Sequence, residues 1–128
     1  MTDAIGIAGS GMTLHRKWLD AIADNLANAN TVTATGDVAF QERYIVAQEG
    51  PGNAGASAAA AFNTTEGTLV YEPEHPLADN DGYVRYPDID MAKQMGNLIM
   101  AQRGYQANAA VVDRAKTAYE AALQIGRG

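Results

Sequence analysis

The sequence contains no cysteine, which excludes disulfides, thiolate metal sites and a cysteine nucleophile. A cysteine-free chain is compatible with either redox compartment. No apolar run approaches the ~18–20 residues needed to cross a bilayer as a helix, so direct membrane insertion is not expected. The opening residues carry neither a basic n-region nor a solid apolar h-region, so no cleavable signal peptide is expected. Basic residues are outnumbered, 9 Lys and Arg against 15 Asp and Glu, and the net charge is −6. Such a chain repels phosphate backbones, and nucleic acid is not an expected partner. Its one basic cluster, His15-Arg16-Lys17, is too short to form an electrostatic footprint. Aromatics reach only 7% although 47% of the residues are hydrophobic, because much of the apolar content is alanine. Packing must then rest on close backbone approach more than on bulky side chains. A length of 128 residues suits one domain.

What is present is a helix at each end. From Asp3 to Ala29 the residues Ile5, Ala8, Met12, Leu19, Ile22, Leu26 and Ala29 form a heptad seam, interrupted at His15 and free of proline. Asn30-Thr31 ends it. A second seam runs through Met91, Met95, Leu98, Gln102, Tyr105, Ala109, Val112, Lys116, Tyr119 and Leu123. Asp90 supplies an N-cap, Ile89 a staple residue, and Ile125-Gly126 a C-cap region. The chain thus divides into an N-terminal helix over 1–31, a small β-rich middle over 32–88, and a C-terminal helix over 89–128. The predicted fold is mainly α, the two terminal helices packed as a coiled-coil-like pair.

In the middle, alternation over residues 38–46 predicts one strand, and Thr68–Tyr71 and Tyr83–Tyr86 predict two more. Asn80-Asp81-Gly82 is a turn signal. The stretch GPGNAGASAAAA, residues 50–61, reads as a flexible low-complexity loop. A two-helix pair leaves Leu14, Trp18, Ile99, Val111 and many alanines uncovered, which points to neighbouring chains.

No residue constellation supports catalysis or a cofactor. His15 lies in a seam and His75 in a proline-flanked loop, and two isolated histidines make a poor metal site. Asp79-Asn80-Asp81-Gly82 contains part of a calcium-loop pattern, but the first and twelfth ligand places hold Leu77 and Asp88. The glycines of Gly6-Ile7-Ala8-Gly9-Ser10-Gly11 follow no strand and precede no lysine, so they fit tight helix packing better than a phosphate cradle. Gly96 and Gly104 invite the same reading.

Two stretches carry a resemblance. Ser10-Gly11-Met12-Thr13, Arg16-Lys17-Trp18-Leu19-Asp20 and Ile22-Ala23-Asp24-Asn25-Leu26-Ala27-Asn28-Ala29-Asn30-Thr31 resemble the N-terminal motif of bacterial flagellar rod and hook proteins, with Asp24 in place of the usual first asparagine of an Asn-Asn pair. Gly82-Tyr83-Val84-Arg85-Tyr86-Pro87 and Gln94 to Asn108, with its Ala-Gln-Arg-x-Tyr-x-Ala-Asn core, resemble the matching C-terminal motif. The short length and the ending from Ala121 to Arg127 are most similar to the proximal-rod type. The resemblance implies a non-enzymatic axial subunit of the flagellar basal body in the periplasm. It would be exported through the flagellar type III apparatus without a cleaved signal and polymerise with copies of itself and other rod proteins. The stack would join the membrane ring and export gate at its base. The residues expected to pack between subunits are Met12, Leu19, Ile22, Leu26, Asn28, Asn30, Met95, Leu98, Gln102, Arg103, Tyr105, Asn108, Val112, Tyr119 and Leu123. Two other readings remain: another short rod subunit, or a stand-alone helical adaptor.

Overall fold

A computed structural model describes residues 2–52 and 54–127. Helix α1 spans Thr2–Asn28, and helix α2 spans Met91–Arg127. Both lack proline, and each ends or begins where its local polar residues can satisfy free backbone groups. At the end of α1, Asn28 donates from Nδ2 to the Asp24 carbonyl at 2.9 Å, and the Thr31 amide returns to the Asn28 carbonyl at 3.1 Å. At the start of α2, the Asp90 carboxylate accepts the amides of Ala92 at 2.9 Å and Lys93 at 3.2 Å, the N-cap its residue type predicts.

The helices run antiparallel. Asn25 meets Gln94, His15 lies over Gly104, and Gly11 faces the Asn108 side chain. The two long terminal helices and small β middle are the architecture expected from the sequence. The intrachain seam, however, is turned by about one position on α2. Gln94, Ala101 and Asn108 join Leu98, Tyr105 and Val112 on the inner side, while Met91, Met95, Gln102 and Lys116 are exposed. Small and polar residues therefore line the closest approach, and glycine makes it possible. A Cβ on Gly104 would overlap the His15 ring, and one on Gly11 would sit 2.6 Å from Asn108 Oδ1. Gly6, Gly9 and Gly96 meet nothing within 4 Å, so the tight packing expected of them does not occur within the chain.

The middle forms two antiparallel hairpins. Strand β1, Arg43–Glu49, pairs with β2, Ala56–Phe62, in a register running from Arg43 opposite Phe62 to Glu49 opposite Ala56. Strand β3, Thr68–Tyr71, pairs with β4, Tyr83–Tyr86. Two expectations are corrected here. The strand expected over residues 38–46 lies further on, because Gln41 ties its side chain to the Ala39 carbonyl at 2.8 Å and to Thr65, leaving that stretch without a ladder partner. The second half of the expected flexible loop over 50–61 is strand, from Ala56 onward; Asn53 lies outside the described residues together with Met1 and Gly128. Its alanines offer little to bury, yet β1 supplies the backbone ladder and α1 supplies anchors. Ser10 Oγ accepts the Ala56 amide at 3.1 Å, and Lys17 Nζ donates to the Ala58 carbonyl at 3.2 Å. Small side chains let β2 lie close along α1. Helix α1 thus carries α2 on one side and the β1–β2 hairpin on another.

Candidate assembly interface

A polar pair is buried as deeply in the helix pair as Ile22 and Ala101 are. Asn25 and Gln94 are each 1% exposed. Asn25 Nδ2 donates to the Arg43 carbonyl at 2.8 Å and to Gln94 Oε1 at 3.1 Å, while its Oδ1 accepts the Arg43 amide at 2.8 Å. Gln94 Nε2 donates to Glu42 Oε1 at 2.6 Å, and Glu42 Oε2 accepts from Asn63 Nδ2 at 2.8 Å. One network therefore joins α1, the start of β1, the end of β2 and the first turn of α2. Lys93 stands 3.8 Å from Glu42 on its outer side. Arg43 pairs with Asp24, and its guanidinium lies 5.5 Å from the ring centres of both Phe40 and Phe62. Each buried amide here has its partner, as a dry polar network needs in order to stabilise, and among the described residues the one buried group of the network left without a partner is the Arg43 Nε. Asp24, where the resembling motif has asparagine, can hold this arginine as a charged partner.

The expected packing residues fall into three groups. Ile22 is buried. Met12, Leu19, Leu26, Asn28, Leu98, Tyr105, Asn108 and Val112 are half-buried. Met12 and Tyr105 line one hollow between the helices. Asn30, Met95, Gln102, Arg103, Tyr119 and Leu123 are exposed. Sequence reasoning missed Asn25, Gln94, Glu42 and Arg43 as packing residues. A polar residue at helical spacing reads as an outward position, and Glu42 and Arg43 are far from both helices in sequence. The signal was the position of Asn25 and Gln94 inside the quoted motifs.

The turn over Asp79–Gly82 is closed by the Asp79 carboxylate. It accepts the amides of Tyr83 at 2.9 Å and Asp81 at 3.0 Å and the Thr35 hydroxyl at 3.1 Å. These donors, the Tyr83 amide foremost, hold its carboxyl below the usual carboxylate range despite some desolvation. Tyr86 donates to Glu72 at 2.8 Å, and that hydrogen bond raises its phenol above the usual range. Among the described residues no group of three or more His, Cys, Asp or Glu is placed to hold a metal ion. No helix among them is long and apolar enough to cross a membrane.

The arrangement is a helix pair with a tied base and large apolar side chains left on the outside. Among them are Met91, Met95, Ile99, Met100, Val111, Tyr119, Leu123 and Ile125. The family model for the flagella basal body rod protein matches residues 5–35, which is α1 and the turn after it. The model for the flagellar basal body rod FlgEFG protein C-terminal region matches residues 80–125, which is β4 and most of α2. Fold and matches together define a structural subunit of the flagellar basal-body rod. The flagellar basal-body rod protein FlgC of Salmonella typhimurium is 37% identical over 126 residues, covering 94% of each chain. The FlgC proteins of Aquifex aeolicus and Bacillus subtilis are 32% and 29% identical over 92% and 97% of this chain. The chain belongs to the FlgC family of flagellar basal-body rod proteins.

Proposed function

We propose that the chain polymerises through its terminal helices, with copies of itself and with other rod proteins, into the proximal rod that carries torque across the periplasm. The observation that supports this is the placement of large side chains. At its closest approach the pair sets small and polar residues between its helices, with Ile22, Leu98, Tyr105 and Val112 alongside, and leaves Met91, Met95, Ile99, Met100, Tyr119 and Leu123 outside, where a lone chain gains nothing from them. Of the expected packing residues, the exposed Met95, Gln102, Arg103, Tyr119, Leu123 and Asn30 are the ones free to meet neighbours. The half-buried ones hold the pair together and set the angle at which it is presented. At the base the stack meets the membrane ring and export gate. The chain reaches its place through the flagellar type III apparatus without cleavage of a signal. No catalytic step enters this role. A torque shaft needs stiffness, and interlocked helices with satisfied polar ties provide it.

The test is genetic and biochemical. Cells deleted for this gene should make basal bodies that stop before the rod and should not swim, and the plasmid-borne chain should restore both. Mass spectrometry of the chain from purified basal bodies should return its uncleaved N-terminus. Complete rods and hooks in the deletion strain would refute the assignment.

A further inference from the structure

Strand β3 has an open outer edge. Its neighbour β4 turns the backbone of alternate residues away from it. Arg85 exchanges both main-chain hydrogen bonds with Thr33, each at 2.9 Å. The Tyr83 carbonyl accepts the Asp79 amide at 3.0 Å, and the Tyr83 amide donates to the Asp79 carboxylate at 2.9 Å. In an antiparallel ladder the residues opposite these, Leu69 and Tyr71, then point their own N–H and C=O groups outward. Neither finds a main-chain partner among the described residues, and there β3 packs against no strand or helix but β4. Edges are ordinarily blunted by lysine, proline or a bulge, and Thr68–Tyr71 has none of these. Leu69 is 50% exposed and Tyr71 63%, and Tyr71 meets Tyr83 at 5.4 Å between ring centres.

The surroundings of this edge are acidic. Residues 66–90 hold Glu66, Glu72, Glu74, Asp79, Asp81, Asp88 and Asp90 against one basic residue, Arg85. Acidic and basic residues balance over the rest of the chain, so this segment carries the whole net charge of −6. None of its carboxylates pairs with a basic side chain among the described residues. The Arg85 guanidinium is held by the carbonyls of Glu66 and Thr35. Glu66 precedes β3, and Asp88 accepts the Thr68 hydroxyl at 2.6 Å at the same end. Glu72 follows β3 directly, and Asp81 lies in the turn that leads into Tyr83.

We propose that the outer edge of β3 accepts an extended basic segment of another protein as an added strand. Leu69 and Tyr71 supply the main-chain hydrogen bonds, and their side chains with Tyr83 supply apolar contact. The carboxylates at both ends of the edge select lysine and arginine over other sequences. A second copy of this chain does not offer such a segment. Its strands carry only two basic residues, Arg43 paired with Asp24 and Arg85 held by carbonyls. The contact lies apart from the helix pair and does not depend on assembly through it.

The test titrates the purified full chain with a short peptide alternating lysine and valine, and with its glutamate–valine counterpart. At low salt the basic peptide should bind and slow hydrogen exchange of the Leu69 and Tyr71 amides. The acidic peptide should bind at least about tenfold more weakly, and added salt should weaken the basic one. Leu69→Pro removes one outward N–H and leaves the ladder to β4 intact, because an edge strand tolerates proline on its solvent side. It should lose binding while circular dichroism and melting stay as in wild type. Glu66→Lys/Asp81→Lys changes two exposed side chains off the strand, and it should weaken the basic peptide and strengthen the acidic one. No binding of the basic peptide would overturn the proposal, as would unchanged binding by either variant. Self-association of the wild type that Leu69→Pro abolishes would overturn it too, by making a second copy the occupant. None of these outcomes touches the rod-subunit reading, which the deletion strain tests.

Discussion

The buried amide of Asn25 should matter more than the neighbouring apolar side chain. Replacing Asn25 by alanine removes three hydrogen bonds at once and leaves the Arg43 amide, the Arg43 carbonyl and Gln94 Oε1 without their partner. Asn25 and Gln94 are both 1% exposed, so bulk water does not reach them. An orphaned buried group costs about 1–3 kcal/mol. Water entering the space left by the side chain relieves part of this, and about 3 kcal/mol remains for the set. Ile22→Val, one turn away and equally buried, removes a single methylene at about 0.5–1.5 kcal/mol. Urea unfolding followed by far-ultraviolet circular dichroism separates the two. With an m-value of about 1.5 kcal/mol/M, Asn25→Ala should lower the midpoint by about 2 M and Ile22→Val by less than about 1 M. Equal midpoints for the two variants would show that the network is ornamental and that apolar contact alone holds the pair.

Gly104→Ala should destabilise the folded chain, since the new Cβ overlaps His15, by about 1–3 kcal/mol of overpacking less about 1 of helix propensity. In a His15→Ala background the same change should become stabilising, and a double-mutant cycle in thermal melts reads the coupling. Leu26→Asp places a carboxylate in the half-buried seam and should abolish swimming and remove the chain from basal-body fractions, while immunoblot of periplasmic fractions still finds it exported. Deleting Ala59 slips the β2 register by one residue and turns every later side chain to the other face, so it should cost motility, whereas a flexible loop at this place would tolerate the deletion. The carboxyl of Asp79 titrates lower folded than unfolded, so its contribution is present above the unfolded value and is lost as pH falls through the folded one. The melting temperature of wild type should therefore drop toward that of Asp79→Asn in acid, and parallel pH profiles for the two would refute this.

Helix positions were legible because periodicity needs no partner. Ile22, Leu98, Tyr105 and Val112 sit on the inner side as their spacing requires, and Asp90 caps α2. Two things were hidden. The alanine run at residues 58–61 has no composition of its own that marks a strand. It becomes one because β1 offers a free ladder edge and α1 offers Ser10 and Lys17, both of them remote in sequence. The turn of the α2 seam was hidden for a related reason. Periodicity ranks Met95 and Gln102 with Leu98 and Tyr105, but Gln94 is drawn inward by Asn25 and Glu42, and Ala101 follows it seven residues on. A hydrogen-bonded amide can outrank a methionine for the inner place when its partners are already fixed there.

That rotation is also what equips the chain for assembly. Had Met91 and Met95 faced α1, the pair would have buried more apolar area and left a polar exterior, a good monomer with little to offer a neighbour. Turning α2 by one position puts Gln94 and Ala101 inside, brings the backbones close at His15–Gly104 and Gly11–Asn108, and leaves the methionines, Ile99 and Val111 outside. The inner contact loses transfer energy that the buried network partly restores through geometry, since Asn25 and Gln94 bond only in one register. Helices that must present an apolar face at a fixed angle to the next subunit gain more from a fixed register than from a larger core. The base of the pair, near Asn25 and Gln94, should then be its most protected part in hydrogen exchange. The stretch of α2 beyond Val112, where every described residue except Ala115 is exposed, should be the least protected until neighbours cover it.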